Sequence, residues 1–570
     1  MVTQPVPRTM TDRPSGRTWR SLAIVAAAVG LALPMAVTAP TATATAAPRC
    51  ADLVGTRVPS AVIGLPTRGG EVTAATPVPA ADPVGSYCRL DAAIHPVDPS
   101  APDIRMRLAV PDRWNHKVMM FGGGGYNGTI PNIAGPVPFG LTPGGSAAST
   151  TPLARGYATF ASDSGHQADL AHPPSPSLDG SFGVNDEALR NFAGDALKKT
   201  RDTAMYLLAR QRANARPTHS YFAGGSTGGR EALAVAQRWP TDFDGVLSVF
   251  PAWNPASVMM FMGHEARLLA APGAFPNSAK QKVLYEAVVN ACDPQDGVRD
   301  RLISNEAGCD FNPRSIRCPD GADSGDTCLS DRQIAAVRSL SSPVTWDYPI
   351  ASGETSHPGF PFLSGADMRT PLLGMGSLAP ADPMPAVSGY GFQFWEQWVK
   401  YFLTRDPGQN SLAVDPLHPG RWRARISALS AVQDANDTDL SAFRNAGGRL
   451  LLIHGTADEL VSHRATVDYY ERMRATMGSA AVQRFARFYL VPGANHGPLL
   501  AAFAPGWDSV TALDDWVTQG RAPRQQVVAD NTPGAARARP LCEYPTWPKY
   551  NGDGDPNSAE VFTCVSGRTG

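Results

Sequence analysis

The chain has 570 residues, 43% of them hydrophobic and 18% charged, so it is too long for one simple domain and can bury a large core. Its formal net charge is −1, and no basic stripe or run of like charges favours nucleic acid as a partner. The 54 glycines and 52 prolines predict many turns and long loops rather than a helical bundle.

Residues 1–46 have the pattern of a secretory signal peptide. Four arginines precede the apolar run 22–37, and alanines in an A-x-A arrangement follow it. A membrane anchor is the alternative, but the run contains Pro34 and is short for a membrane span. We therefore expect a cleaved signal peptide, a secreted mature protein and no membrane span after cleavage.

The eight cysteines agree with export to an oxidising compartment. Their number is even and none lies in a C-x-x-C motif, so disulfides are expected rather than a zinc site. The simplest connectivity joins neighbours in sequence, and the sequence alone leaves the other connectivities open. The pairs in that simplest connectivity are Cys50–Cys88, Cys292–Cys309, Cys318–Cys328 and Cys542–Cys564.

Strands and helices alternate from about residue 105 onward. The patterns predict strands at 117–121, 157–161, 220–223 and 245–250, and helices at 186–212 and 230–239. Such alternation predicts an α/β fold, in which helices cover the faces of a parallel sheet. We assign residues 47–252 to the first part of this core.

A G-x-S-x-G motif, Gly-Gly-Ser-Thr-Gly, lies at 224–228 between a predicted strand and a predicted helix. In that context the motif is a nucleophile elbow, a strained turn that raises the Ser226 hydroxyl above the sheet edge. The turn leaves the Thr227 N–H at a helix N-terminus, where it can stabilise an oxyanion. The glycine run 122–125 also follows a strand and fits a second oxyanion donor. A glycine-rich surface turn is the alternative for each segment.

Residues 253–438 interrupt the alternation and are interpreted as a lid inserted over the active site. In this insertion the segment 292–302 carries three aspartates on a glycine-containing turn, which suits calcium. The candidate ligands are the carboxylates of Asp293, Asp296 and Asp300 and the carbonyls of Val298 and Leu302. The EF-hand spacing is absent, so an acidic surface turn is the alternative.

The second part of the core, 439–570, supplies the remaining members of a possible catalytic triad. Strands predicted at 449–454 and 487–491 are followed by Asp458 and His496, in the chain order Ser, Asp, His. Parallel strands share the edge at which they end, so His496 could act as the base for the serine and Asp458 could orient it. The tail after residue 540 is expected to be irregular and held by its cysteines.

Simpler explanations exist for both residues. Asp458 could be a turn aspartate, and His496 a loop histidine with a satisfied hydrogen bond. His166 is the main rival for the base because it too follows a strand. His454 and His463 lie too close to Asp458 in sequence to be obvious partners for it.

Four segments together resemble the tannase/feruloyl esterase family: Gly-Gly-Ser-Thr-Gly-Gly-Arg at 224–230, Asp-Phe-Asp-Gly at 242–245, Gly-Thr-Ala-Asp at 455–458 and Val-Pro-Gly-Ala-Asn-His at 491–496. The resemblance extends over nearly all of the mature chain. It implies an α/β-hydrolase core, an inserted lid, and esters of aromatic acids of the hydroxycinnamic, gallic or phthalic type as small-molecule substrates.

The resemblance also implies roles for single residues. It makes Ser226, Asp458 and His496 the catalytic triad, with oxyanion donors at Thr227 and at one of Gly124 or Gly125. It matches a structural calcium site in the lid, with the ligands Asp293, Asp296, Val298, Asp300 and Leu302. Trp395, Trp398 and Phe402 are candidates to stack on an aromatic acyl group. Burial in the core of the lid is their alternative.

One difference from the family pattern concerns the catalytic loops. Most members place cysteines directly before the serine and directly after the histidine, joined in a disulfide. Here those positions are Gly225 and Gly497. We therefore expect packing and hydrogen bonds alone to hold the triad.

The sequence thus predicts a secreted serine esterase that acts through an acyl-enzyme. An esterase for a non-aromatic or natural-product ester is one alternative. A non-catalytic secreted binding protein on the same scaffold is the other. The sequence does not determine the oligomeric state or the acid and alcohol of the substrate.

Overall fold

The computed structural model describes residues 48–141, 151–497 and 500–567. Within these ranges a ten-stranded mixed sheet forms the centre of the protein. Its strands are β1 (Arg57–Val58), β2 (Gly70–Val78), β3 (Tyr87–Ile94), β4 (Ile104–Pro111), β5 (Lys117–Phe121), β6 (Ala158–Ser162), β7 (His219–Gly225), β8 (Gly245–Val249), β11 (Arg449–Gly455) and β12 (Ala486–Val491). The short strands β9 (Val344–Thr345) and β10 (Ser356–His357) pair with each other outside this sheet. The predicted signal peptide lies outside the described residues.

The sheet is antiparallel at one side and parallel at the other. Its strand order is β1-β2-β3-β4-β6-β5-β7-β8-β11-β12. Strands β1 to β4 pair in antiparallel fashion, as do β4 and β6. From β6 through β5, β7, β8 and β11 to β12, every neighbouring pair is parallel. The carboxyl ends of these parallel strands therefore meet at one edge.

Burial explains why the parallel strands were predictable. Every residue of β6 and β8 is buried, as expected for strands covered by helices on both faces. All six predicted strands of the core are present, and the α/β class is confirmed. The antiparallel strands β2 and β3 were not anticipated from the sequence. Residues of β2 alternate between buried and exposed only at its start, so its periodicity is weak.

The helices cover both faces of the sheet and build the insertion. They are α1 (Asp186–Arg190), α2 (Ala196–Gln211), α3 (Thr227–Arg238), α4 (Pro255–Leu269), α5 (Ser278–Cys292), α6 (Asp331–Leu340), α7 (Tyr390–Gln397), α8 (Arg423–Gln433), α9 (Ser441–Asn445), α10 (His463–Met477), α11 (Ser479–Gln483) and α12 (Ser509–Gln519). No helix among the described residues is both long and apolar enough to cross a membrane.

The helix predicted at 186–212 is interrupted. A π-helical segment, Asn191–Asp195, separates α1 from α2, and Gly194 within it has φ 144°. This φ is one that side chains with a Cβ rarely adopt, so the break requires glycine there, and the space beside it is taken by the guanidinium of Arg238. The apolar periodicity that predicted one helix continues across the break, which is why the sequence did not reveal it.

The insertion, residues 253–438, adds no strand to the large sheet. Its helices form a second apolar cluster, in which Phe261, Trp395 and Phe402 are fully buried. Tyr126 and Phe192 from the first part of the chain belong to the same cluster. The insertion is therefore packed directly on the segment that follows β5.

Four disulfides connect the cysteines in the neighbouring pairs expected from the sequence. The tail after residue 540 is more regular than expected, because β16 (Trp547–Tyr550) and β17 (Phe562–Val565) pair in a sheet there. Before it, β13 (Pro505–Gly506), β14 (Val527–Asp530) and β15 (Ala538–Pro540) form another sheet. The bond between Cys542 and Cys564 joins the segment that follows β15 to β17.

Candidate active site

Ser226 lies in a strained turn between β7 and α3. Its backbone has φ 60° and ψ −122°, a conformation that non-glycine residues rarely adopt. Glycines beside it allow the strand and the helix to approach closely. A Cβ at Gly228 would lie 2.7 Å from the carbonyl oxygen of Gly123, and a Cβ at Gly224 would collide with the backbone of Gly228. This local geometry is that of a nucleophile elbow.

A hydrogen-bonded chain connects Ser226 with two residues from later strand ends. Nε2 of His496, in the loop after β12, lies 2.9 Å from the Ser226 Oγ. Nδ1 of the same ring lies 2.8 Å from Oδ2 of Asp458, in the loop after β11. The structure thus brings together the three side chains that the sequence singled out, although His496 is 270 residues from Ser226 in the chain.

Asp458 is completely buried and held on all sides. Its Oδ1 accepts the backbone N–H groups of Leu460 and Val461 at 2.9 and 2.7 Å. Nε2 of His454 lies 3.2 Å from its Oδ2. The expectation that His454 is no obvious partner of Asp458 was wrong, because the turn after β11 folds the aspartate back over the strand end.

The charges in this group determine the direction of each pKa shift. Burial opposes ionisation of Asp458, but His496 and His454 more than offset it and hold the pKa of the carboxyl below its usual range. Burial also opposes the charged form of His496, and Asp458 outweighs it, so the pKa of the imidazole is raised. Such a pair favours an imidazolium stabilised by a carboxylate, as proton abstraction from a serine requires.

Glu459 is a site residue that the sequence analysis missed. Its side chain is buried, and Oε2 accepts the backbone N–H of His496 at 3.2 Å. Burial, followed by repulsion from Asp458, raises the pKa of Glu459 to about 8. No pattern in the sequence signals this role, since the residue only follows the aspartate in the same turn.

Thr227 and Gly125, two of the expected oxyanion donors, lie beside the cavity at the serine. Thr227 begins α3, so its N–H has no acceptor within the helix. The Thr227 hydroxyl donates to the carbonyl of Gly125 at 2.7 Å, which ties the helix to the glycine run. Gly125 and Thr227 line the same cavity as Ser226, whereas Gly124 does not. Of the two glycines, Gly125 is therefore the better placed.

The other histidines considered as catalytic lie elsewhere. His166 is buried with Nε2 2.7 Å from the carbonyl of Tyr126, and its ring stacks on Phe182. Burial lowers its pKa to about 4. Nε2 of His463 lies 3.1 Å from a carboxylate oxygen of Glu306. Neither histidine contacts Ser226.

A cavity of about 70 Å³ adjoins Ser226 beneath the insertion. Of the three aromatic candidates, only Trp398 lines it. The indole N–H of Trp395 donates to the carbonyl of Ser411 inside the insertion, and Phe402 packs on the ring of Tyr126. The apolar side chains that the sequence analysis missed here include Met259, Met262 and Phe394.

The acidic loop of the insertion is compact. Asp293 and Asp296 are buried and accept backbone N–H groups, and neither forms an ion pair among the described residues. Burial raises both pKa values, that of Asp296 to about 6. Asp300 instead pairs with Arg539. Across the described ranges no three acidic, histidine or cysteine side chains are close enough to form a metal-binding group.

Gly225 and Gly497, at the positions where the family pattern has cysteines, line one cavity of about 510 Å³ together with His496. A Cβ at Gly225 would lie 2.6 Å from the ring of Phe250. The phenyl ring of Phe250 therefore fills part of the space beside the elbow, and this cavity takes up another part.

Comparisons with known proteins agree with this geometry. The family model described as tannase and feruloyl esterase matches residues 88–565. An uncharacterized esterase of Agrobacterium fabrum is 36% identical over 534 residues, covering 91% of this chain and 93% of its own. The mono(2-hydroxyethyl) terephthalate hydrolase of Piscinibacter sakaiensis is 30% identical over 524 residues, covering 81% and 82%.

A crystal structure shows the same fold. Feruloyl esterase B from Aspergillus oryzae superposes with a TM-score of 0.71 over 91% of this chain and all of that chain, at 21% identity. Its likeness supports the α/β-hydrolase architecture predicted from the elbow and the strand order. The family match covers most of the chain and includes every residue of the Ser226 site. The chain therefore belongs to the tannase and feruloyl esterase family.

Proposed function

We propose that this protein is a serine esterase in which Ser226 is the nucleophile, His496 the general base and Asp458 the orienting acid. Ester hydrolysis is supported by the family description and by the names of the relatives. The observation that carries the assignment of residues is the hydrogen-bonded chain from Ser226 through His496 to Asp458, at 2.9 and 2.8 Å.

In the first half-reaction the Ser226 Oγ attacks the ester carbonyl carbon, and its proton passes to Nε2 of His496. Asp458 accepts the Nδ1–H, which fixes the tautomer and stabilises the imidazolium. The carbonyl oxygen becomes an oxyanion, for which the N–H groups of Thr227 and Gly125 are the donors. Collapse of this intermediate breaks the ester bond, and the imidazolium gives its proton to the departing alcohol.

In the second half-reaction water replaces the alcohol. Nε2 of His496 takes a proton from water, whose oxygen attacks the acyl carbon bound to Ser226. The same oxyanion donors stabilise the second intermediate, and the proton then returns to the Ser226 oxygen. The carboxylic acid leaves, and the serine is ready for another ester.

For the acyl group we propose an aromatic acid. The cavity beside Ser226 is lined by Trp398, Phe394 and methionines, which offer flat and polarizable contacts to an aromatic ring. Its volume of about 70 Å³ lies below the roughly 300 Å³ at which typical ligand pockets begin, so the side chains of the insertion must yield to admit a ring.

The test compares a panel of esters that share one chromogenic alcohol. Aromatic acyl groups should be hydrolysed with higher kcat/KM than aliphatic acyl groups of similar size, and Ser226→Ala should abolish both activities. Preference for aliphatic acyl groups would overturn the substrate class alone. Undetectable hydrolysis by the parent protein would favour a binding protein over an enzyme.

We also propose a structural calcium ion in the insertion. The hard oxygens of Asp293, Asp296 and Asp300, with the carbonyls of Val298 and Leu302, suit this ion chemically, and Asp300 would have to exchange Arg539 for the ion to complete the set. Asp293 and Asp296 are buried and form no ion pair within the described ranges, and they supply the negative charge that the ion would neutralise. A chelator should lower the melting temperature, and Asp296→Asn should remove the difference. An equal melting temperature with and without chelator, and no calcium in the purified protein, would contradict the site.

Secretion completes the proposal. Four disulfides among the described residues fit an oxidising compartment, where such bonds persist. The mature protein should be recovered from the culture medium with an N-terminus close to residue 47. Retention inside the cell with an intact N-terminus would contradict secretion.

A further inference from the structure

The ring of Phe250 lies between the nucleophile elbow and His496. Its centroid is 4.6 Å from that of the imidazole, with the planes inclined by 50°. Two carbons of the Phe250 ring lie against Gly225: a Cβ added to this glycine would meet them at 2.6 and 2.9 Å. The glycine directly before Ser226 thus provides the space that this ring occupies.

The backbone of Phe250 is held in an unusual conformation. It has φ 33°, in the region that side chains with a Cβ rarely adopt. Its N–H donates to the carbonyl of Ile453 in β11 at 2.7 Å, and the Ser226 N–H donates to the neighbouring Val249 at 3.1 Å. Strain of this kind persists only where surrounding contacts hold it, and it is concentrated at functional sites.

Two hydrogen bonds hold the imidazole of His496, one at each ring nitrogen, at 2.8 and 2.9 Å. Rotation of the ring about its Cβ–Cγ bond would lengthen both of them. The tilted contact with the ring of Phe250 adds a steric barrier to that rotation. The cavity of about 510 Å³ also borders His496, so removal of the phenyl ring would leave the imidazole facing a larger empty space.

We propose that Phe250 is a positioning residue, which keeps the imidazole of His496 aligned with Ser226 by packing between the ring and Gly225. This inference rests on the proposed roles of Ser226 and His496. Phe250 borders the larger cavity next to His496 but does not line the cavity beside Ser226 that we assign to the acyl group. It therefore acts on the acyl transfer through the histidine.

The first test measures kcat and KM per active site, counted by titration with a fluorophosphonate. Phe250→Ala should lower kcat by about 10- to 100-fold, the scale on which small misplacements of catalytic groups act, and leave KM close to the parent value. Phe250→Tyr keeps the ring and should retain most of the activity. Phe250→Leu takes the place of the alanine variant if the latter does not fold.

Phe243→Ala is the matched control. Phe243 is similarly buried, at 5% exposure against 9% for Phe250, but it packs on Phe222 away from His496. It should lower stability and keep kcat per titrated site. If Phe250→Ala also keeps the parent kcat per titrated site, the ring is merely structural and the proposal is overturned.

A double-mutant cycle tests the contact with Gly225. Gly225→Ala alone should lower kcat, because the new methyl group displaces the ring towards His496. In the Phe250→Ala background the same change should cost nothing further. If instead the losses of kcat from the two single substitutions multiply in the double variant, Phe250 and Gly225 act independently and their coupling is overturned. Ser226→Ala is measured beside these variants. If it stays active, the proposed nucleophile and the positioning role both fail. If it is inactive while Phe250→Ala is fully active, only the positioning role fails.

Discussion

At the residue scale, the site is a compact set of buried charges arranged around one imidazole. Asp458 stays ionised because two histidines and two backbone N–H groups compensate for its burial. Glu459, the next residue, is compensated less: only its Oε2 accepts the His496 N–H, and its Oε1 has no hydrogen-bond partner among the described residues. Two adjacent carboxyl groups therefore have pKa values shifted in opposite directions, which keeps one charged and one neutral near pH 7.

Glu459 should make stability depend on pH. Its pKa is raised from an ordinary value of 4.5 to about 8, so its contribution is complete below about pH 4.5 and is lost as the pH rises through 8. Glu459→Gln keeps the acceptor for the His496 N–H but cannot ionise. The melting temperature of this variant, followed from pH 5 to 9, should fall less towards alkaline pH than that of the parent. Parallel curves would show that Glu459 is charged throughout this range.

Ser226, Asp458 and His496 could be located from the sequence because each lies in the turn or loop that follows an apolar strand. Parallel strands end at one edge, so the order of motifs along the chain placed the three residues together. The contact of His454 with Asp458 depends on a turn of four residues whose path the sequence does not specify. Phe250 follows β8, and its ring contacts His496 only because the fold brings the two residues together. No pattern along the sequence indicates this contact.

At the scale of elements, α7 and the π-helical turn after it carry the aromatic side chains of the insertion to different places. Trp395 and Trp398 are one helical turn apart and stack at 5.7 Å, yet only Trp398 borders the cavity at Ser226. Both are fully buried, so composition and periodicity could identify an aromatic cluster but could not say which ring faces substrate.

The two tryptophans form a matched pair for a specificity experiment. Trp398→Leu should lower kcat/KM for aromatic relative to aliphatic acyl groups by about 2- to 10-fold, the scale of one aromatic contact. Trp395→Leu removes an equally buried indole and should leave that ratio unchanged. The ratio is taken within each variant, on esters of one alcohol. Differences in stability between the variants therefore cancel. Equal changes in the two variants would show that the effect comes from the packing of the insertion.

At the scale of the whole molecule, one sheet and four disulfides fix the frame on which the site is built. The parallel strands position the elbow and both catalytic loops, and the sequence predicted them because they are buried on both faces. The antiparallel strands β1 to β4 and the C-terminal sheets were less visible, since short or half-exposed strands give weak periodicity. The even number of cysteines, grouped by proximity in sequence, was enough to indicate the pairing that the structure shows.

The central claim is that Ser226 forms the covalent acyl-enzyme, and peptide mass spectrometry tests it directly. A fluorophosphonate reacts with an activated serine as an ester does, but the adduct is not hydrolysed. The account predicts one adduct per chain, on the peptide that contains Ser226, with loss of esterase activity in proportion to labelling and no adduct in Ser226→Ala. Stoichiometric labelling of another residue, or full esterase activity after complete labelling of Ser226, would contradict it.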